Sequence, residues 1–205
     1  MSIEIITCTQ GEPEWFTARM GIPTASMFAT VKAKGKGAAD SKTRTTYMLK
    51  LIGERMTGEP MESYSNGHMD RGKVMEEEAR NFYAFQVEIE PELVGFIRNG
   101  EKGCSPDSLL GTDGLLEIKT KLPHLQLAVL LAGTLPAEHK AQVQGQLWVA
   151  EREWADFCSY WPGLPLFVTR VYRDEDYIKE LSEEVDKFLA EMNDLHEQIK
   201  QRFAA

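Results

Sequence analysis

The chain is 205 residues long and 42% hydrophobic, enough for one full core and short for two, so a single domain over 1–205 is expected. No apolar run approaches the roughly 18 residues of a membrane span, and the opening MSIEIITCTQ lacks the basic-then-apolar order of a secretory leader; a cytoplasmic protein with no membrane partner is the expectation. A formal net charge of −9 argues against a polyphosphate partner, yet residues 1–58 hold eight Lys/Arg against five Asp/Glu while residues 173–205 hold five against ten.

The first predicted element is a short helix over residues 12–20 (EPEWFTARM). Gly21-Ile22-Pro23 breaks it, and Thr24-Ala25-Ser26 then offers hydroxyls to cap another helix. Residues 31–44 (VKAKGKGAADSKTR) set Lys32, Lys34, Lys36, Lys42 and Arg44 among small residues, which suits a loop reaching toward a polyanion, although such a stretch taken alone is more often an ordinary solvated loop. From Ser41 a helix carries Tyr47, Met48, Leu51 and Ile52 inward and stops at Gly58-Glu59-Pro60. The stretch MDRGKVMEEEARNFYAFQ predicts another helix, with Val74, Met75, Ala79, Phe82 and Tyr83 on the buried side and Glu76 at the edge of that stripe.

After this the texture becomes period-two. VEIEPELVGFIRN and LLGTDGLLEIKTKL read as strands, residues 123–150 as helix, and WADFCSYWPG and LFVTRVY as two more strands. A final amphipathic helix over roughly 174–203 has Tyr177, Leu181, Val185, Phe188, Leu189, Met192, Leu195 and Ile199 on one stripe. The order implies a mixed α/β domain without internal repeats. Cys8, Cys104 and Cys158 lie far apart with no Cys-x-x-Cys clamp, so they are expected to be buried or idle thiols. Trp15, Trp148, Trp154 and Trp161 are expected in the core or at interfaces rather than stacked on bases.

The chemistry concentrates in CSPDSLLGTDGLLEIKT, residues 104–120. Alternate residues of a strand face the same way, so Glu117 and Lys119 share a face and Ile118 packs on the other. A hairpin turning at residues 110–114 would fold Asp107 back beside Glu117. Two carboxylates and the Ile118 carbonyl then make an oxygen-only nest for Mg2+, which in phosphodiester hydrolysis acidifies a water and steadies the phosphate, with Lys119 steadying the developing anion. Taken alone, Glu117 and Lys119 would more often be an exposed ion pair.

These residues carry a resemblance. The S-P-D…E-x-K pattern around Asp107, Glu117 and Lys119 is similar to that of the PD-(D/E)XK nucleases, and the chain around it resembles the lambda-type phage exonucleases, the YqaJ-like viral recombinases. EWFTARMGIPTAS, RGKVMEEEAR and AQVQGQLWVA look like three further blocks of that family, in the right order. The resemblance implies a restriction-endonuclease-like core, a central mixed β-sheet flanked by helices. It implies metal binding by Asp107, Glu117, the Ile118 main chain and Glu76, and catalytic roles for Lys119 and for Gln142, beside which Gln146 shares a helix face while Gln144 points elsewhere. Arg19 and Ser26 match residues that hold a terminal 5′-phosphate of DNA. Ser108 stands where the family usually has glycine, a strained position if it requires a positive φ.

The implied activity is Mg2+-dependent 5′-to-3′ digestion of double-stranded DNA ends, with Mn2+ as a substitute, leaving 3′ single strands for recombination by annealing. The implied partners are DNA ends, two further copies in a homotrimeric ring and a single-strand annealing protein, for which the acidic C-terminal helix and residues 63–66 are candidate docking surfaces. A PD-(D/E)XK endonuclease and a non-catalytic DNA-binding or annealing partner on a nuclease scaffold are the alternatives.

Overall fold

The computed structural model describes residues 3–35, 41–61 and 67–203, without the side chains of 67–71 and 73. Lys36, residues 63–66 and the Arg71 side chain lie outside the described residues. Strand β1 (Glu4–Ile6) leads into helix α1 (Pro13–Arg19), where Pro13 occupies a helix start that needs no N–H. Gly21 follows at φ 66°; its N–H donates to buried Glu54 and its carbonyl accepts from Arg55, which seats α1 on helix α3 (Lys42–Thr57). Between them, a 3-10 turn (Ala25–Met27) runs into helix α2 (Phe28–Val31). Ser41 caps α3 through the Arg44 N–H, and Gly58, left-handed, ends it.

Helix α4 (Gly67–Val87) precedes β2 (Phe96–Asn99), β3 (Lys102–Cys104), β4 (Ser108–Leu110) and β5 (Gly114–Thr120). Helices α5 (Pro123–Ala132) and α6 (Ala137–Ala150) then cross over to β6 (Trp154–Tyr160) and β7 (Phe167–Tyr172), and α7 (Glu175–Phe203) follows. The described strands form two sheets, an antiparallel β1-β2-β3 and a mixed β4-β5-β6-β7 in which only β5 and β6 run parallel. A mixed sheet flanked by helices is the fold class expected from the sequence.

Three expectations are corrected. The strand expected over residues 87–99 is mostly not one: α4 runs through Val87, Glu88 turns left-handed at φ 57°, and Pro91 has no N–H for a ladder, so only Phe96–Asn99 pairs in full. The helix expected over 123–150 is two, parted at Gly133 (φ 64°) and Pro136. On α4, Met75, Ala79 and Tyr83 are buried, while Val74 and Phe82 are 69% and 51% exposed; the helix is rotated from the expected phase because Tyr83 carries its hydroxyl inward to Asp156, 2.7 Å away.

The alternation of β5 divides the interior. Leu115 joins Phe157, Val143 and Leu147 in the large core, closed by Leu181, Val185, Phe188 and Met192 of α7. Leu116 and Ile118 join Ala79, Tyr83 and Cys158 in a smaller cluster under α4. Glu117 and Lys119 therefore face α6, as the strand period requires.

Candidate active site

The hairpin performs the expected approach. Leu110 pairs with Gly114 across a turn in which Gly111 sits at φ 57°, and Ser108 pairs with Leu116. One residue before β4, Asp107 donates its N–H to Leu116 O (3.0 Å), and its Oδ2 accepts from the Ile118 N–H at 2.5 Å. In an extended strand the N–H and C=O of one residue leave on the same side. The Ile118 carbonyl thus faces the edge occupied by Asp107, ahead of the point where β4 begins.

Glu117 is 1% exposed and each of its oxygens is held. Gln142 Nε2 donates to Oε1 at 2.6 Å, Gln146 Nε2 to Oε2 at 2.5 Å, and Lys119 Nζ lies 2.5 Å from Oε1. The Glu117–Lys119 pair exists, then, but around a buried carboxylate rather than on the surface. One turn of α6 separates Gln142 from Gln146, so one helix face delivers both amides. Gln144 points away and bonds the Tyr172 carbonyl and the Asp174 N–H. Gln146, which the helical spacing places on the same face as Gln142 but to which the sequence assigns no role, joins the site as the second amide on Glu117.

Glu76 is half-buried and its Oε1 accepts from Arg80 at 2.8 Å. Arg80 also donates through Nε to Ser108 Oγ, which in turn donates to the Asp107 carbonyl. Ser108 has no positive φ, since the non-glycine residues with one, among those described, are Glu88 and Glu151. The strain expected there does not arise, and the hydroxyl ties α4 to the Asp107 backbone. Glu76, Arg80 and Asp107 line a cavity of about 500 Å³ that also reaches Gln10 and Leu93.

On the other side a cavity of about 230 Å³ is lined by Trp15, Arg19, Thr24, Ser26, Ser105, Gln142 and Gln146. Arg19 and Ser26 thus share a chamber with the glutamines. The Arg19 guanidinium stacks 4.1 Å over the Trp15 ring and donates to Thr24 Oγ1, which lies 3.1 Å from Ser26 Oγ. Trp15 is itself fixed by donating to Ser105 Oγ and Gly95 O. The basic stretch is less unified. Lys34 and Lys42 are exposed and Lys32 lies over the Tyr177 ring. Arg44 is committed to the fold, pairing with Glu191 at 2.6 Å and donating to Val31 O.

The electrostatics are those of crowded acids. Burial, then the charges of Glu117 and Glu76, push the Asp107 carboxyl well above its ordinary range; part of the residue still reaches solvent through the cavity. Burial and Glu117 raise Glu76 against the opposing pull of Arg80. Burial alone would lower Lys119, but Glu117 and Asp107 outweigh it and raise the ammonium. A divalent cation fits this donor set: two carboxylate oxygens and a carbonyl are hard ligands, and their mutual repulsion is what a cation relieves. Among the described residues no three Asp, Glu, His or Cys side chains converge as a metal cluster; the groups that could hold a cation are Asp107, Glu117 and the Ile118 carbonyl, while the Glu76 carboxylate is paired with Arg80.

Fold and site together define a mixed α/β protein with a carboxylate and lysine centre on a hairpin. Residues 14–153 match the model of the YqaJ-like viral recombinase domain, and the chain belongs to that family. It is similar to two crystal structures of the alkaline exonuclease LHK-Exo from Laribacter hongkongensis. The complex with dAMP is 36% identical over 94% of this chain and 98% of that one, with a TM-score of 0.85; the other is 35% identical over the same shares, with a TM-score of 0.84. A phage-related exonuclease from Haemophilus somnus 129PT, 14% identical over 87% of this chain and 96% of its own, shares the fold with a TM-score of 0.64. No curated protein matches the sequence.

Proposed function

We propose that the protein is a Mg2+-dependent exonuclease that digests one strand of duplex DNA from its 5′ end and leaves a 3′ single strand. The observation carrying this reading is that Asp107, Glu117 and Lys119 meet beside a chamber lined by Arg19 and Ser26. Family membership and the likeness to an alkaline exonuclease support it.

Bound Mg2+ would supply Lewis acidity at the phosphoryl oxygen and lower the pKa of the attacking water. The residues supply the rest. Asp107, Glu117 and the Ile118 carbonyl would hold the cation, and Gln142 and Gln146 fix the Glu117 carboxylate so that it cannot rotate away. Lys119, kept charged by its acidic neighbours, stabilises the anion that develops rather than taking a proton. Arg19 grips the terminal phosphate, with the Ser26 hydroxyl beside it, which sets the end of the strand one nucleotide from the centre. Water adds to phosphorus, the bond to the 3′ oxygen breaks, and that oxygen takes up a proton. A homotrimeric ring, with an annealing protein acting on the single strand produced, follows from the family resemblance, and sedimentation velocity tests the trimer.

The deciding experiment is Mg2+-dependent digestion of one duplex in two forms, linear with 5′-phosphates and covalently closed, with Asp107→Ala as blank and Lys119→Ala in parallel. Loss of one strand of the linear form alone is expected, with Lys119→Ala binding DNA but cutting at least about 100-fold more slowly. Cutting of the closed form would replace this reading with an endonuclease, and no metal-dependent cutting would replace it with a binding protein.

A further inference from the structure

Beyond Lys119 the strand holds a second lysine. The Lys121 N–H bonds Tyr160 O at 3.1 Å, so the backbone continues the β5–β6 pairing past Thr120, and strand alternation puts Glu117, Lys119 and Lys121 on one face. The facing surface of α6 answers in the opposite order: Gln146 and Gln142 lie against Glu117, and His139, one turn earlier, lies against Lys121. The Lys121 Nζ is 3.0 Å from His139 Nε2 and 3.3 Å from Glu138 Oε1.

An ammonium has donors only, so His139 Nε2 accepts and the ring proton resides on Nδ1. Burial, then Lys121 and Lys119, push the imidazole down to about 4, which keeps it a neutral acceptor. The ring stacks 5.2 Å from that of buried Phe157, so the lysine is aimed by a rigid support. Its side chain is 13% exposed while that of Glu138 is 64% exposed: the acid is a partner at the rim, free to swing into water.

The arrangement is linear. The Arg19 and Ser26 chamber is lined by both Gln142 and Gln146, the amides that hold Glu117; Lys119 follows two residues along the strand and Lys121 two further. Two residues of strand span roughly 6.6 Å, comparable to the separation of successive phosphates along an extended nucleotide strand. We propose that Lys121, aimed by His139, seats the phosphate next in line after the scissile one, between the second and third nucleotides of the strand being degraded. Glu138 occupies the ammonium until DNA displaces it. The seat gives the row a direction: terminal phosphate, scissile phosphate, next phosphate.

This inference rests on the exonuclease reading, and its test separates the two. The substrate is a 5′-phosphorylated duplex whose linkage between the second and third nucleotides is either natural or a neutral methylphosphonate; KM and kcat are measured for release of the first nucleotide. The parent should show KM about tenfold higher on the neutral linkage with little change in kcat. Lys121→Met should show that higher KM on the natural linkage and no further rise on the neutral one. Glu138→Gln, which removes the competing acid without touching the seat, should lower KM about twofold. Indifference of the parent to the neutral linkage, or a full further loss in Lys121→Met, overturns the seat while leaving exonuclease activity standing. Failure of the parent to digest the natural duplex overturns the activity itself.

Discussion

Glu117 takes an amide on each oxygen and an ammonium besides, whereas Asp107 has one backbone N–H and two acidic neighbours. The first carboxylate has three donors around it and the second has one, and burial with its acidic neighbours raises the second. Because Asp107 is raised in the folded protein, the fold binds its proton more tightly than the unfolded chain does. Stability is therefore lost as pH climbs from the ordinary carboxylate range through the raised value, and the loss is complete above it. With divalent metal chelated, Asp107→Asn should melt above the parent at pH 8, and the gap should narrow as pH falls and close below the ordinary aspartate range, where both states hold the proton. A lower melting temperature for the variant at pH 8 would mean that Asp107 contributes to folding as a charge. The Gln146 Oε1 has no hydrogen-bond partner among the described residues, although the residue is buried in the wall of the Arg19 chamber. An orphaned buried acceptor is costly, and site residues carry such costs more readily than core residues do.

Among the elements, α6 matters most, because it carries Gln142, Gln146 and His139 and is set by a close approach at Gly145. A Cβ there would lie 2.5 Å from Phe28 Cδ2 and 3.3 Å from Ala25 Cβ, and Phe28 is fully buried. Gly145→Ala should destabilise the protein by about 1–3 kcal/mol despite the better helix propensity, read as a shift in the urea midpoint. It should also lower kcat, because both amides move off Glu117. Stability rising instead would show that Phe28 yields freely. Sequence periodicity sufficed for α7, most of whose expected stripe is buried, and the strands β5 to β7 fall where the sequence places them. It misjudged α4 because Val74 and Phe82 are apolar yet exposed, and the phase was decided by the hydroxyl of Tyr83 seeking Asp156, a contact 73 residues away that no local pattern contains. The Asp107, Glu117, Lys119 centre was legible because a hairpin brings it together locally. The second amide on Glu117, the support of Arg19 by Trp15 and the use of Arg44 as a tie to α7 were not, because each depends on how distant elements dock.

Across the whole molecule, the proposed reading requires a protein of net charge −9 to confine its cations to a track. On that reading Arg19, Lys119 and Lys121 would neutralise about three phosphates, so the logarithm of affinity for a linear duplex should fall with the logarithm of salt at a slope of roughly −3 per protomer. Fluorescence anisotropy without divalent metal measures this, and a slope of about −6 would show that Lys32, Lys34, Lys36 and Lys42 also lie along the duplex. The parallel pairing of β5 with β6 has a kinetic consequence. Asp107 and Glu117 are ten residues apart and need only a hairpin to meet, whereas Gln142 and Gln146 come from the crossover that must close before parallel strands can pair. During refolding the acids gather early and repel one another until α6 arrives with its amides. The catalytic hairpin is therefore the part of the chain that divalent ions should help to fold first, and refolding in Mg2+ should outpace refolding in chelator.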